Sequence, residues 1–148
     1  MAEEKLVSQD LLFEILSSIQ GVLGEQNQSV FAKTGRMIGA KWAASIPKAA
    51  SVDDLMEKIA VVLKDELHLA DSVSFERENA DYVIKMRGCH LCHSRLVKER
   101  HGISPACAVS MAPAGALKAN LEVRNIRLKE IRKPGPEGDC DWVYEIKA

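Results

Sequence analysis

The sequence predicts an α+β fold, with N-terminal helices packed on an antiparallel β-sheet that a helical excursion interrupts. Three observations carry this reading. Apolar residues recur at helical spacing as far as Leu67. After Leu69 the period drops to two, with Val73, Phe75 and Arg77 alternating with Ser72, Ser74 and Glu76 before Asn79-Ala80, and Tyr82, Ile84 and Met86 after it. A helical stretch then separates this hairpin from two further strand-like segments near the C-terminus.

The elements follow in order. Ser8 is placed to cap a first helix carrying Leu11, Leu12, Ile15, Leu16, Ile19 and Leu23, with Gly24 near its stop. A second helix is expected over residues 29–44, with Val30, Phe31, Thr34, Ile38 and Trp42 along one side. Gly35 and Gly39 share a face of it as G-x-x-x-G, and glycine costs about 1 kcal/mol in a helix interior. Such a pair marks close approach of another backbone. Pro47 breaks the chain, and Ser51 caps a third helix bearing Leu55, Ile59, Val62, Leu63 and Leu67. Asp53 and Asp54 in its first turn favour the helix dipole.

Beyond the hairpin, residues 90–100 predict a short helix stopped by Gly102. Ser104-Pro105 predicts another helix start, with Cys107 in the first turn and a kink or division at Pro113. Ile126, Leu128 and Glu130 open a strand. The Pro134-Gly135-Pro136-Glu137-Gly138-Asp139 loop leads to the last strand, which puts Cys140, Trp142, Tyr144 and Ile146 on one face. The 148 residues fit a single domain, with 1–27 as an N-terminal helical segment and 28–148 as the remainder.

Composition bounds the function. With 47% apolar residues the chain can bury a core without disulfides. Its 20 Lys+Arg balance 21 Asp+Glu, so no global field recruits nucleic acid or an anionic membrane. No apolar run approaches a membrane span, and the charged N-terminus lacks the apolar core of a signal peptide. The expectation is a cytoplasmic protein, where reduced, clustered cysteines favour metal or redox roles.

The chemistry concentrates in Arg87-Gly88-Cys89-His90-Leu91-Cys92-His93, which holds two of the four cysteines and two of the four histidines. Cys89 and Cys92 form C-x-x-C, a spacing that lets two thiolates grip one metal ion. Cys107 and Cys140 stand at expected element ends, well placed to converge on them. Four thiolates suit zinc or an iron–sulfur cluster, with His90 and His93 as alternate ligands. The same residues spell C-x-x-C-H, a haem c signature with His93 as axial ligand. A thiol–disulfide switch at Cys89 and Cys92 is a third chemistry, one that leaves Cys107 and Cys140 unexplained. His68 and His101 lack evident catalytic partners, and no P-loop or dinucleotide fingerprint is present.

Ser104-Pro105-Ala106-Cys107, Gly115-Ala116-Leu117, the Gly138-Asp139-Cys140 turn with Trp142 two residues on, and the Gly35/Gly39 pair together resemble the 4-vinyl reductase domain family. The resemblance covers about two-thirds of the chain, from the second helix to the end. It implies a fold similar to the TRAPP vesicle-tethering subunits and a small-molecule, often hydrocarbon-binding, regulatory or accessory domain that frequently dimerises. Several members, phenol-sensing regulators among them, hold zinc between such cysteines and the sheet. By position, Cys107 and Cys140 match two of the family's metal cysteines. A third, about eight residues before the last, falls near Arg132 here, and Cys89 and Cys92 stand in for it.

These readings converge on a zinc-binding, small-molecule-binding domain with a sensory or accessory role, partnered by an apolar ligand, by a second copy through the N-terminal helices and by an unidentified protein. The expected pocket lies between the sheet face of Trp142 and Tyr144 and the helix of Met111 and Leu117. A redox or electron-transfer protein with haem c or an iron–sulfur cluster is the alternative, and catalysis ranks below both.

Overall fold

The computed structural model describes residues 6–147. The charged stretch at residues 1–5 and Ala148 lie outside them. Helix α1 spans Gln9–Leu23, α2 Asn27–Ala43 and α3 Val52–Val61, the last continuing as a π turn over Val62–Glu66. Strands β1, Ala70–Glu78, and β2, Asp81–Cys89, form the hairpin. Helices α4, Ser94–His101, and α5, Ala112–Leu121, make the excursion, and β3, Ile126–Arg132, and β4, Cys140–Ile146, complete one sheet. Its order is β1-β2-β4-β3, antiparallel throughout. The α+β class and the interrupted antiparallel sheet are those the sequence predicts.

The alternation of the strands sorts the sheet into two faces. Pairs Tyr82–Tyr144, Ile84–Trp142 and Met86–Cys140 put the large side chains on the helix side, where Leu55, Ile59, Leu63 and Leu117 pack on them. The other face is charged. There Arg132 bridges Glu78 at 2.5 Å and Asp141 at 3.4 Å. Val83 and Val143, paired across the strands, are buried on this face.

Helix α5 is buried from Ala112 to Leu117 because its residues are small. A methyl group on Gly39 would overlap the Ala112 carbonyl, and one on Gly115 would overlap the Arg36 carbonyl. The paired glycines thus let the backbones of α2 and α5 touch, as the G-x-x-x-G spacing predicts. Ser51 caps α3 by accepting the Asp54 N–H at 3.1 Å, also as expected.

Two expectations are corrected. Residues 104–111 are not helical; α5 begins at Ala112, with Pro113 in its first turn. Proline there lacks only an N–H that has no intrahelical partner anyway, so Pro113 starts the helix and neither kinks nor divides it. Second, α4 starts at Ser94, later than residue 90, because β2 and its following turn run through the cysteine pair; the stop at Gly102, left-handed with φ 63°, is as expected. The apolar repeat of α1 is not its buried face. Leu11, Ile15, Ile19 and Val22 face solvent, Val22 with 87% exposure, while Ser17 and Gln20 are fully buried.

Candidate metal centre and ligand cleft

Four segments converge at one end of the sheet, and each cysteine has its own reason for being there. Cys89 ends β2 just after Gly88, whose φ of 68° breaks the strand's alternation. Two hydrogen bonds then fix this corner: Gly88 N–H donates to Asp139 Oδ1 and Cys89 N–H to the Gly138 carbonyl, both at 2.9 Å. They hold Cys89 against the turn that introduces Cys140. Cys92 sits in the turn before α4, its thiol 3.4 Å from the Ser94 hydroxyl. Glu137 of the same loop accepts the Arg95 N–H at 2.8 Å, so a carboxylate caps α4 and ties it over the cysteines.

Cys107 lies in the irregular 104–111 stretch, and a single side chain organises that stretch. The Gln20 amide uses its whole capacity. Its oxygen accepts the Ala106 N–H at 2.8 Å and an Asn27 N–H at 2.9 Å. Its nitrogen donates to the Ala106 carbonyl at 3.0 Å and to His93 Nε2 at 2.8 Å. Asn27 also donates to the Ser104 carbonyl at 2.8 Å, and Tyr144 hydroxyl donates to the Ser110 carbonyl. Because Ala106 N–H can only donate, the amide orientation is set, and His93 Nε2 must accept. His93 Nδ1–H then donates to the Leu91 carbonyl at 2.9 Å. Both ring nitrogens of His93 are therefore taken, whereas His90 is exposed beside Asp71, 3.3 Å from its carboxylate.

All four cysteines are free thiols and all line one cleft of about 700 Å³. Its apolar wall includes Phe31, Leu91, Met111, Leu128, Ile131 and Trp142. Met111 and Trp142 of the expected pocket thus belong to the cleft, while Leu117 and Tyr144 are fully buried in the core beside it. Strand β3 contributes its helix-side residues Ile126, Leu128 and Ile131 to the lining of the cleft. Arg132 points to the charged face, so a metal ligand at that position could not reach the cysteines; its neighbours Ile131 and Lys133 do line the cleft.

Burial pushes the Cys89 thiol up to about 11 and the Cys140 thiol up to about 12; Cys107 is raised for the same reason. The neighbouring thiols add to the rise at Cys89 and Cys140, and Lys133 opposes it at Cys140. Among the described residues, however, no three Cys, His, Asp or Glu side chains are grouped closely enough to hold an ion as they stand. The donor chemistry suits a soft divalent ion, which would favour the thiolates that burial disfavours. The backbone-pinned Cys89 and the loop-borne Cys107 would have to close on it.

Among known proteins, no family model matches the chain and no curated protein is significantly similar to it. The sequence reading missed Gln20, Asn27 and the cations of the cleft. The available signal was a stripe on α1 and beyond, Ser17, Gln20, Gly21, Gly24 and Asn27, uncharged and at helical spacing beside the apolar repeat.

Gln20→Leu leaves the Ala106 amide, Asn27 and His93 without partners, and urea unfolding is expected to show a loss of about 3 kcal/mol. Chelator-treated protein has a second signature. Cys89 and Cys140 bind protons more tightly folded than at their ordinary 9.0, so their contribution to stability is complete below pH 9.0 and is lost as pH rises through about 11 to about 12. Melting temperature should fall across that window, and a Cys89→Ser/Cys140→Ser variant should lose much of this dependence.

Proposed function

We propose that this protein is a zinc-binding domain that takes a small apolar molecule and serves a sensory or accessory role in the cytoplasm. The observation that carries the reading is the shared lining: one cleft of about 700 Å³ is lined by all four cysteines and by apolar side chains of the sheet. That volume falls within the range of small-molecule sites. Cys89, Cys92, Cys107 and Cys140 would hold the ion, and it would supply a fixed crosslink among the β2 end, the 104–111 stretch and the start of β4. A ligand contacting Met111 or Trp142 would then sense the same segments. The motif likeness to the 4-vinyl reductase domains supports this reading, with zinc and ligand binding as what it implies. Among the described residues the cleft's His93 is hydrogen-bonded to Gln20 and Leu91 and to no cysteine, so binding is favoured over catalysis.

The haem c alternative requires His93 as axial ligand, and its two ring nitrogens are already engaged by Gln20 and Leu91. An iron–sulfur cluster would use the same four sulfurs and is separated from zinc by colour and iron content. The second proposed partner is another copy of the chain. Leu11, Ile15, Ile19 and Val22 form an exposed apolar row on α1 that a symmetric helix pair would cover.

Protein purified without chelator should carry about one zinc per chain at Zn–S distances of about 2.3 Å in X-ray absorption. Less than about 0.2 equivalents would rule the site out. With metal bound, Cys140→Ser should lower both the melting temperature and the affinity for an apolar probe such as decanol; a lower melting temperature with unchanged probe binding would uncouple metal from cleft. Light scattering at micromolar concentration should give a dimer mass, and Ile15→Glu should shift it to the monomer.

A further inference from the structure

The cleft's apolar wall accounts for an apolar ligand, but its polar groups have a bias of their own. Its charged residues are Arg36, Lys98, Arg127 and Lys133, of which Arg127 alternates with the helix-side Ile126 and Leu128 and turns its side chain to the other face; no Asp or Glu lines the cleft among the described residues. The chain as a whole is nearly neutral, 20 Lys+Arg against 21 Asp+Glu, so this is a local accumulation and not a general basic character. Arg127 is paired with Glu145 at 2.6 Å. Arg36, Lys98 and Lys133 enter no ion pair among the described residues. Three cations without carboxylate partners around an apolar cleft leave room for an anion, which ion-paired surface cations would not.

An independent observation lies deeper. Trp142 lines the same cleft, is 1% exposed, and its indole N–H has no hydrogen-bond partner among the described residues. Buried donors are nearly always satisfied, so an orphan donor on a residue that lines a cleft calls for an acceptor atom. The paired Tyr144 hydroxyl shows the contrast, since it donates to the Ser110 carbonyl. A pure hydrocarbon supplies neither an acceptor for Trp142 nor a countercharge for the cations.

Building on the proposed apolar-ligand function, we infer that the ligand is an amphipathic anion: an apolar body bearing a carboxylate or similar oxyanion. The body packs on Phe31, Leu128 and Ile131, and the oxygens face Arg36, Lys98, Lys133 and the Trp142 N–H. The length of the body follows from the cleft, whose volume of about 700 Å³ holds a chain or ring system of drug-like size.

The test is calorimetric titration of the full zinc-loaded chain with decanoate, 1-decanol and decylamine. Decanoate should bind at least about tenfold more tightly than decanol, as expected of charge-assisted hydrogen bonds, and decylamine more weakly than either. Arg36→Gln, Lys98→Gln and Lys133→Gln together change exposed side chains, so the fold should persist, and the gap between decanoate and decanol should close. Trp142→Phe keeps the ring and should weaken decanoate; its melting temperature is recorded alongside, and the triple variant decides if it fails to fold. Equal binding of decanoate and decanol overturns the inference while leaving the apolar-ligand reading intact. A preference for decanoate that survives the triple variant also overturns it, because the carboxylate would then be ligating the metal. Failure of all three probes to bind overturns both readings.

Discussion

The side-chain amide of Gln20 is the interaction on which the arrangement of the cleft depends. Residues 104–111 cross the interior without helix or strand, so their backbone groups need partners from elsewhere. Gln20 reproduces a strand-like pair of hydrogen bonds with Ala106, and Asn27 and Gln28 reach the carbonyls of Ser104 and Pro105. That supply must come from a polar helix face. It explains why α1 turns Ser17 and Gln20 inward and leaves Ile15 and Ile19 outside. The same amide fixes the His93 tautomer, and so joins the turn of Cys89 and Cys92 to the segment of Cys107.

Close backbone packing supplies the second constraint. Gly39 against Ala112 and Gly115 against Arg36 bring α2 and α5 into contact, which sets α5 deep in the molecule and holds its preceding segment beside β3. Leu117 and Tyr144 then fill the core, while Ile126, Leu128 and Ile131 face a cleft. Burial raises the Cys89, Cys107 and Cys140 thiols above their ordinary value and so favours their protonated form.

Individual residues show where reading the chain succeeded and failed. The hairpin at Asn79-Ala80 and the cap at Ser51 are short-range features, decided by neighbours in sequence, and both stand as read. Ser104-Pro105 carries an equally good local signal for a helix, yet the backbone there bonds to Gln20, Asn27 and Gln28 instead. Pro113 was misplaced by the same error: once the helix starts seven residues later, the proline falls in the first turn, where it costs nothing.

The sequence by itself determined the fold class, the strand faces, the glycine contact of α2 and the crowding of Cys89 and Cys92, because periodicity and spacing encode them directly. Only the tertiary structure decided that Cys107 and Cys140 reach the same cleft, that His93 is held by Gln20, and that Arg132 faces away while Lys133 faces in. It also decided which side of α1 is buried. The physical reason is common to all of these. A stripe of apolar residues says that a face can be covered, but the unpaired backbone of a distant segment, here 86 residues away at Ala106, determines which face is needed inside.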